Sequence, residues 1–185
     1  MKLSRSVLLA VLASAFASAQ ETSKPMDTIA WGSPVNGLRL GVAFGSDPSK
    51  PTIRVIFENV SPQVQDVQLG YSNGRGPAYS LKFITKTGDG RVLEAADVGQ
   101  FYPVEGLVQP VSVLIGPVRR RHELTFPLKN IFIYSSRTDD TFESLLNSGY
   151  SVRVIFEADS GEPPLDSLPH RWVGKIESGG ISRSR

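Results

Sequence analysis

The segment Thr52-Ile53-Arg54-Val55-Ile56-Phe57-Glu58 decides the fold class of this chain of 185 residues. Within it, the apolar residues Ile53, Val55 and Phe57 alternate with polar neighbours. Successive side chains of a β-strand point to opposite faces of the sheet, so the segment predicts a strand with one buried face. The same two-residue period occurs in four other runs, at residues 38–44, 79–84, 111–115 and 151–157.

Shorter apolar runs extend this pattern along the chain. They predict further strands at residues 67–69, 91–94, 122–126, 131–134 and 172–177. Gly and Pro residues between the runs supply the backbone reversals, and Gly88-Asp89-Gly90 predicts the tip of a hairpin. The runs amount to about nine short strands, with one short helix beside them. They predict an all-β fold, an antiparallel β-sandwich.

A single segment, near residues 139–147, predicts a helix. Phe142, Leu145 and Leu146 recur there at helical spacing, and Gly149 follows as a stop. Thr138 is the expected N-cap. The helix is about two turns long and connects strands of the sandwich.

The pentapeptide Arg54–Glu58 recurs letter for letter as Arg153–Glu157. A duplicated binding strand is one interpretation. The favoured interpretation is that the two copies are central strands under the same packing demand, because nothing else around them matches. Glu58 and Glu157 could form a carboxylate pair for glycoside hydrolysis only if they met about 5–10 Å apart in a cleft. Both fall opposite the apolar faces, so we expect them to be exposed to solvent.

The first residues, Met1–Ala19, have the three parts of a secretory signal peptide. Lys2 and Arg5 give the positive start, residues 7–16 are apolar apart from Ser14, and Ala17-Ser18-Ala19 provides the small residues for cleavage. The apolar run is about half of the roughly 20 residues that span a bilayer. We expect cleavage after Ala19 and an exported protein, periplasmic or extracellular, with no membrane span once the signal is removed.

Composition excludes several classes of function. With no cysteine, the chain has no disulfide framework, zinc–thiolate site or cysteine nucleophile. Removing Lys2 and Arg5 with the signal leaves 18 basic and 18 acidic residues, a net charge of zero. This balance predicts no nucleic-acid partner.

We expect residues 20–28 to be a flexible lead-in, 29–179 a single β-sandwich domain and 180–185 a frayed tail.

The inventory of reactive residues predicts no catalytic residues, no metal site and no cofactor. The two histidines, His122 and His170, do not have ligand spacing to each other, and there is no Gly-x-Ser-x-Gly elbow or calcium loop. A hydrolase of unrecognised type is the alternative. It requires one of these histidines within hydrogen-bond reach of both a serine and a carboxylate.

A few polar and aromatic residues are candidates for a contact surface. Tyr71 and Arg75 lie in the Gly-rich segment 70–77, which leads into a strand and so predicts an inter-strand loop rather than a phosphate site. Tyr and Arg are favoured at protein interfaces. Phe101 and Tyr102 are further ligand-binding candidates.

Two other features have simple structural explanations. The basic cluster Arg119–His122 predicts an edge strand kept soluble by charge, although an acidic partner surface is an alternative. Trp31 and Trp172 lie near the two ends of the domain. We expect the first and last strands to lie side by side with the indoles packed against the core; a sugar-stacking platform is the alternative for Trp31.

The chain also resembles uncharacterised exported bacterial domains of immunoglobulin-like type. The resemblance rests on residues 31–42, beginning Trp31-Gly32-Ser33-Pro34, and on residues 55–61, 145–152 and 172–179. It covers most of Trp31 to Gly179 and implies an immunoglobulin-like β-sandwich. The resemblance carries no catalytic residue.

Together these observations favour two kinds of function. The first is a non-enzymatic module that binds another envelope or extracellular protein. The second is a carbohydrate-binding module that uses exposed aromatic residues such as Tyr71, Phe101, Tyr102 and Trp31. The sequence favours the first, because it shows export and strands but no catalytic set.

Overall fold

The computed structural model describes residues 28–72, 76–86, 90–97, 108–134, 141–158 and 171–183. Almost all regular structure in these residues is β-strand, and a short helix, α1 (Phe142–Asn147), accompanies it. In chain order the strands are β1 (Ala30–Trp31), β2 (Leu38–Phe44), β3 (Thr52–Asn59), β4 (Gln65–Ser72), β5 (Pro77–Tyr79), β6 (Leu81–Lys86), β7 (Val92–Asp97), β8 (Gln109–Ile115), β9 (Arg121–Pro127), β10 (Ile131–Ile133), β11 (Ser151–Ala158), β12 (Gly174–Glu177) and β13 (Ile181–Ser182).

These strands form three antiparallel sheets. The first has the order β1-β2-β3-β9, and the second has the order β10-β7-β6-β11-β12, with β13 also paired to β11. The third has the order β5-β4-β8. Only Ser80 separates β5 from β6, so the chain passes directly from the third sheet into the second. The inner faces enclose a single apolar core, which confirms the predicted all-β sandwich.

The repeated pentapeptide occupies the centre of both main sheets. β3 lies between β2 and β9, and β11 lies between β6 and β12. Phe57 and Phe156 meet edge to face across the core with ring centroids 4.9 Å apart. Val55 and Val154 are fully buried beside them. The two copies therefore meet the same packing demand, which agrees with the favoured interpretation.

The helix begins later than predicted. Thr141, rather than Thr138, is the N-cap, and its Oγ1 accepts a hydrogen bond from the Ser144 amide at 3.1 Å. Phe142, Leu145 and Leu146 are buried as their spacing predicted. Residues 138–140 lie outside the described part of the chain, so α1 confirms the helix over 142–147 only.

The two ends of the described domain are joined. The Gly179 amide donates to the Ala30 carbonyl at 3.1 Å, so the first strand lies beside the last ones, as predicted. Trp172 is buried and stacks on Phe156, with its indole N–H donating to the Val35 carbonyl at 3.1 Å. Beyond Gly179, β13 still pairs with β11, so the predicted frayed segment 180–185 starts within the sheet.

The signal segment 1–19 and the lead-in, apart from Thr28, lie outside the described residues. Among the residues that the structure does describe, no helix has the length and apolar character to cross a membrane.

Candidate functional site

Two of the sequence-predicted ligand-binding residues, Trp31 and Tyr71, lie in the described part of the chain, and Tyr71 lies on the third sheet. It lies in β4 opposite Pro110 of β8, and 49% of its surface is exposed. Arg75, Phe101 and Tyr102 lie outside the described residues. Tyr71 is therefore placed at the surface of the third sheet, next to its outer strand.

Trp31 lies on the outer face of the first sheet, over Gly41 of β2. A Cβ atom at Gly41 would lie 2.7 Å from Cε3 of the indole, so only glycine leaves room for the ring. The guanidinium carbons of Arg39 and Arg121 lie 4.4 and 5.3 Å from the ring centroid, within cation–π range. The indole is thus already engaged by two cations, which weakens the sugar-platform interpretation of this residue.

The same two arginines enclose Glu58. Glu58 on β3 lies between Arg39 on β2 and Arg121 on β9 in the register of the sheet. Both guanidinium groups donate to its carboxylate. Glu58 is 8% exposed, so the prediction that it faces solvent was wrong. Glu157, its counterpart in β11, is exposed as predicted, and it lies in the other sheet. The arrangement gives no carboxylate pair for glycoside hydrolysis.

The surroundings of Glu58 also set its ionisation. Burial alone would raise the pKa of Glu58, but the hydrogen bonds from Arg121 and Arg39 and their positive charges outweigh it and hold the pKa below the usual value. Folding therefore favours the ionised carboxylate. The stability that this gives is present above the unfolded pKa of about 4.3 and is lost as the pH falls through the lower folded pKa.

Glu58→Gln is therefore expected to flatten the acid side of the stability profile. The wild-type free energy of unfolding should fall more steeply between pH 5 and pH 3 than that of the variant, about the range where a paired carboxylate is lost. Chemical denaturation at a series of pH values measures this. Asp47 and Glu123 have pKa values lowered by hydrogen bonds from Ser49 and Arg54, so some slope remains in both proteins.

Glu157→Gln is the matched control, since that side chain is exposed on the other sheet. Its profile should follow the wild type. A Glu58→Gln profile with the wild-type slope would contradict the assigned role of the Arg39–Glu58–Arg121 row.

His122 lies opposite Phe57 on β9 and is half-buried, and this burial lowers its pKa. Among the described residues it has no hydrogen bond to a serine or a carboxylate, and His170 lies outside them. The described residues also contain no cluster of three or more potential metal ligands. A depression of about 440 Å³ beside α1 is lined by Ser49, Lys50 and Glu143 among others; the Ser49 hydroxyl donates to Asp47, and no described histidine lines it.

Exposed apolar residues gather at the outer strand of the third sheet. Leu114 of β8 is 62% exposed, and Val118 in the following turn is 94% exposed. Val64 lies beside this turn, 4.0 Å from the position of a Cβ at Gly116. We call Ser112, Leu114, Val118, Val64, Arg119 and Arg120 the β8 edge surface.

The backbone of β8 also points outward at this surface. The Trp172 amide donates to the Asp66 carbonyl at 2.8 Å, so the backbone of Asp66 faces away from β8. Residues that face each other in an antiparallel pair alternate between exchanging both hydrogen bonds and none. Leu114, which faces Asp66, therefore directs its N–H and C=O away from β4, and Ser112 does the same two residues earlier. Among the described residues, no strand pairs with this edge.

Asn59 holds the end of β8 in place. Its Nδ2 donates to the carbonyls of Gln63 and Ile115 at 2.6 and 2.7 Å, and its Oδ1 accepts from the amide and the hydroxyl of Ser61. Its own amide donates to the Arg120 carbonyl at 2.8 Å. Asn59 is fully buried, so in the folded protein the formal glycosylation sequon Asn59-Val60-Ser61 is not accessible.

The β8 edge surface is positively charged. Residues 108–122 include Arg119, Arg120 and Arg121 but no Asp or Glu. Arg121 is engaged by Glu58, and Asp66 is paired with Arg171 at 3.5 Å. Within the described chain, no carboxylate pairs with Arg119 or Arg120, both of which are exposed.

Sequence reasoning missed Leu114 and Val118. Leu114 is out of phase with the alternating set Val111, Val113 and Ile115, and Val118 follows Gly116-Pro117 where a polar turn residue is usual. Both signals are visible in the sequence. They could have identified an apolar surface beside the basic cluster. For that cluster the sequence predicted an edge strand, with an acidic partner surface as the alternative, and β9 is indeed the edge of the first sheet.

Comparison of the chain with protein-family models, with curated proteins and with solved structures gave no match.

Proposed function

We propose that the protein is an exported, non-enzymatic β-sandwich of immunoglobulin-like type that binds another envelope or extracellular protein. The export pattern of residues 1–19 supports the location, and the strand-dominated architecture supports a contact role. One observation carries the proposal: Leu114 and Val118 are exposed beside an edge of β8 that no described strand covers. Exposed apolar groups grouped at one place on a protein surface mark interaction sites.

Site-specific photocrosslinking tests this function. With a photoreactive side chain at Val118, the protein should form an adduct with a discrete envelope or extracellular protein. The adduct yield should fall about tenfold when Leu114→Asp is added, because a charge at the centre of an apolar contact costs roughly 1–3 kcal/mol.

Val92 is the control position, because it is exposed on β7 of the second sheet, away from β8. A photoreactive group there should give no such adduct. Equal labelling from Val118 and Val92, or no adduct from either, would contradict the proposal.

Carbohydrate binding is the second candidate, and one pair of aromatic residues favours it. Phe132 of β10 and Tyr134 just after it are both about half-exposed. Residues two apart on a strand point to the same side, about 7 Å from each other, a spacing that suits stacking of sugar rings. Retention of the protein on a polysaccharide, lost in Tyr134→Ala and kept in Leu114→Asp, would favour this candidate over the first.

A further inference from the structure

We propose that β8 binds an extended acidic polypeptide segment as an additional antiparallel strand. This inference rests on the proposed function and names the chemistry of the partner. It combines three features of the β8 edge surface: outward backbone groups, exposed apolar side chains and uncompensated positive charge.

The backbone of β8 sets the length and position of the added strand. Ser112 and Leu114 each direct an N–H donor and a C=O acceptor outward, and Pro110 offers a carbonyl but no N–H. Pro110 thus ends the available ladder at one side, and the bend at residues 117–119 ends it at the other. Two residues of a partner can exchange full pairs of hydrogen bonds with Ser112 and Leu114, which is the pattern of strand addition.

The apolar side chains determine what the partner carries next to this ladder. Leu114 projects from the exposed face of β8, and Val64 and Val118 lie around the end of the strand. A partner residue facing Leu114 would therefore be apolar, because cross-strand apolar pairs stabilise a sheet. Alternating residues of the partner would lie on the other face of the sheet, on the same side as Val113.

The charges determine the orientation. Arg119 and Arg120 follow the carboxyl end of β8, and the described residues give them no carboxylate partner. In an antiparallel addition, the amino end of the partner lies at the carboxyl end of β8. The acidic residues of the partner must then precede its extended apolar part. Pairing with the β8 strand of a second copy lacks this complement, because both strands carry the same positive charge.

A peptide selection tests the inference. Short random peptides displayed on phage are selected on the protein, and the selected sequences are expected to have two or more acidic residues followed by alternating apolar ones. A synthetic peptide of that sequence is then measured by fluorescence anisotropy against variants of Ser112. Ser112→Pro removes the outward donor but no hydrogen bond to β4, and should weaken binding at least about tenfold.

Ser112→Thr is the matched control, because it keeps the amide and the strand propensity; its affinity should match the wild type. The double variant Arg119→Glu, Arg120→Glu should weaken binding about tenfold or more and reduce its dependence on salt. Thermal unfolding of each variant verifies that the sandwich is intact.

Several outcomes would overturn the inference. The selection could yield no binder or no preference for acidic residues. The acidic residues could follow the apolar ones in the selected peptides, or Ser112→Pro could leave peptide binding unchanged. A dimer in sedimentation that Ser112→Pro abolishes would instead assign the edge to a second copy. Because photocrosslinking from Val118 does not depend on strand addition, the proposed function can stand when the strand model fails.

Discussion

Phe156→Ala is expected to lower the free energy of unfolding by about 4 kcal/mol, within the range for truncating a fully buried aromatic residue. The Phe156 ring contacts Phe57 from the opposite sheet at 4.9 Å and stacks on Trp172 at 5.6 Å. Removing it leaves a cavity where the two main sheets meet, and close-packed neighbours fill such a cavity only in part. Equilibrium denaturation in urea, followed by tryptophan fluorescence, measures the change.

Phe132→Ala is the matched control, since the same ring is removed from a site that is half-exposed on β10. Its cost should stay below about 1 kcal/mol. Equal losses in the two variants would mean that the contact between β3 and β11 does not hold the sandwich together.

Asn59→Leu is expected to destabilise the protein by about 3 kcal/mol, because several buried groups lose their partners at once. The Ile115 carbonyl loses a donor and the Ser61 amide loses an acceptor, while the leucine supplies neither. The loss should appear in chemical denaturation. It should be accompanied by faster hydrogen exchange at the end of β8, since Asn59 ties that end to the turn before β4.

Asn147→Leu serves as the control, because Asn147 is exposed at the end of α1 and its Oδ1 accepts one hydrogen bond from Arg183. Its effect should stay within about 0.5 kcal/mol. Fast exchange confined to α1 in the Asn59 variant, with β8 unchanged, would contradict the role assigned to Asn59.

The fold class could be predicted because it depends on a local signal. In β3 and β11 the two-residue period assigns Val55, Phe57, Val154 and Phe156 to buried faces, and all four are buried. The same reasoning failed for Glu58, because the period determines which face a residue occupies and does not determine what lies over that face. Arg39 and Arg121 reach Glu58 from neighbouring strands, and the sequence does not state which strands are neighbours.

The candidate site is less predictable for the same reason. An edge exists only relative to the order of strands in a sheet, and this order depends on pairing between residues far apart in the chain. The sequence identified the basic residues beside β8. The outward direction of the Leu114 N–H and C=O, however, follows from the hydrogen bond between the Trp172 amide and the Asp66 carbonyl. Similarly, Thr138 and Thr141 are both suitable caps by residue type, and the hydrogen bond from the Ser144 amide identifies Thr141.

The repeated pentapeptide gives the folding chain two strands of identical sequence for two different positions. Either copy presents the same valine and phenylalanine inward, and each arginine has a glutamate partner, Glu123 for Arg54 and Glu177 for Arg153. An arrangement with the copies exchanged would thus satisfy much of the interior. The copies differ in the polar contacts at their carboxyl ends: Glu58 accepts from two arginines, and Asn59 stands where the other copy has Ala158. An arrangement with the copies exchanged would leave these buried polar contacts of Glu58 and Asn59 unmade, so they favour the native pairing over it.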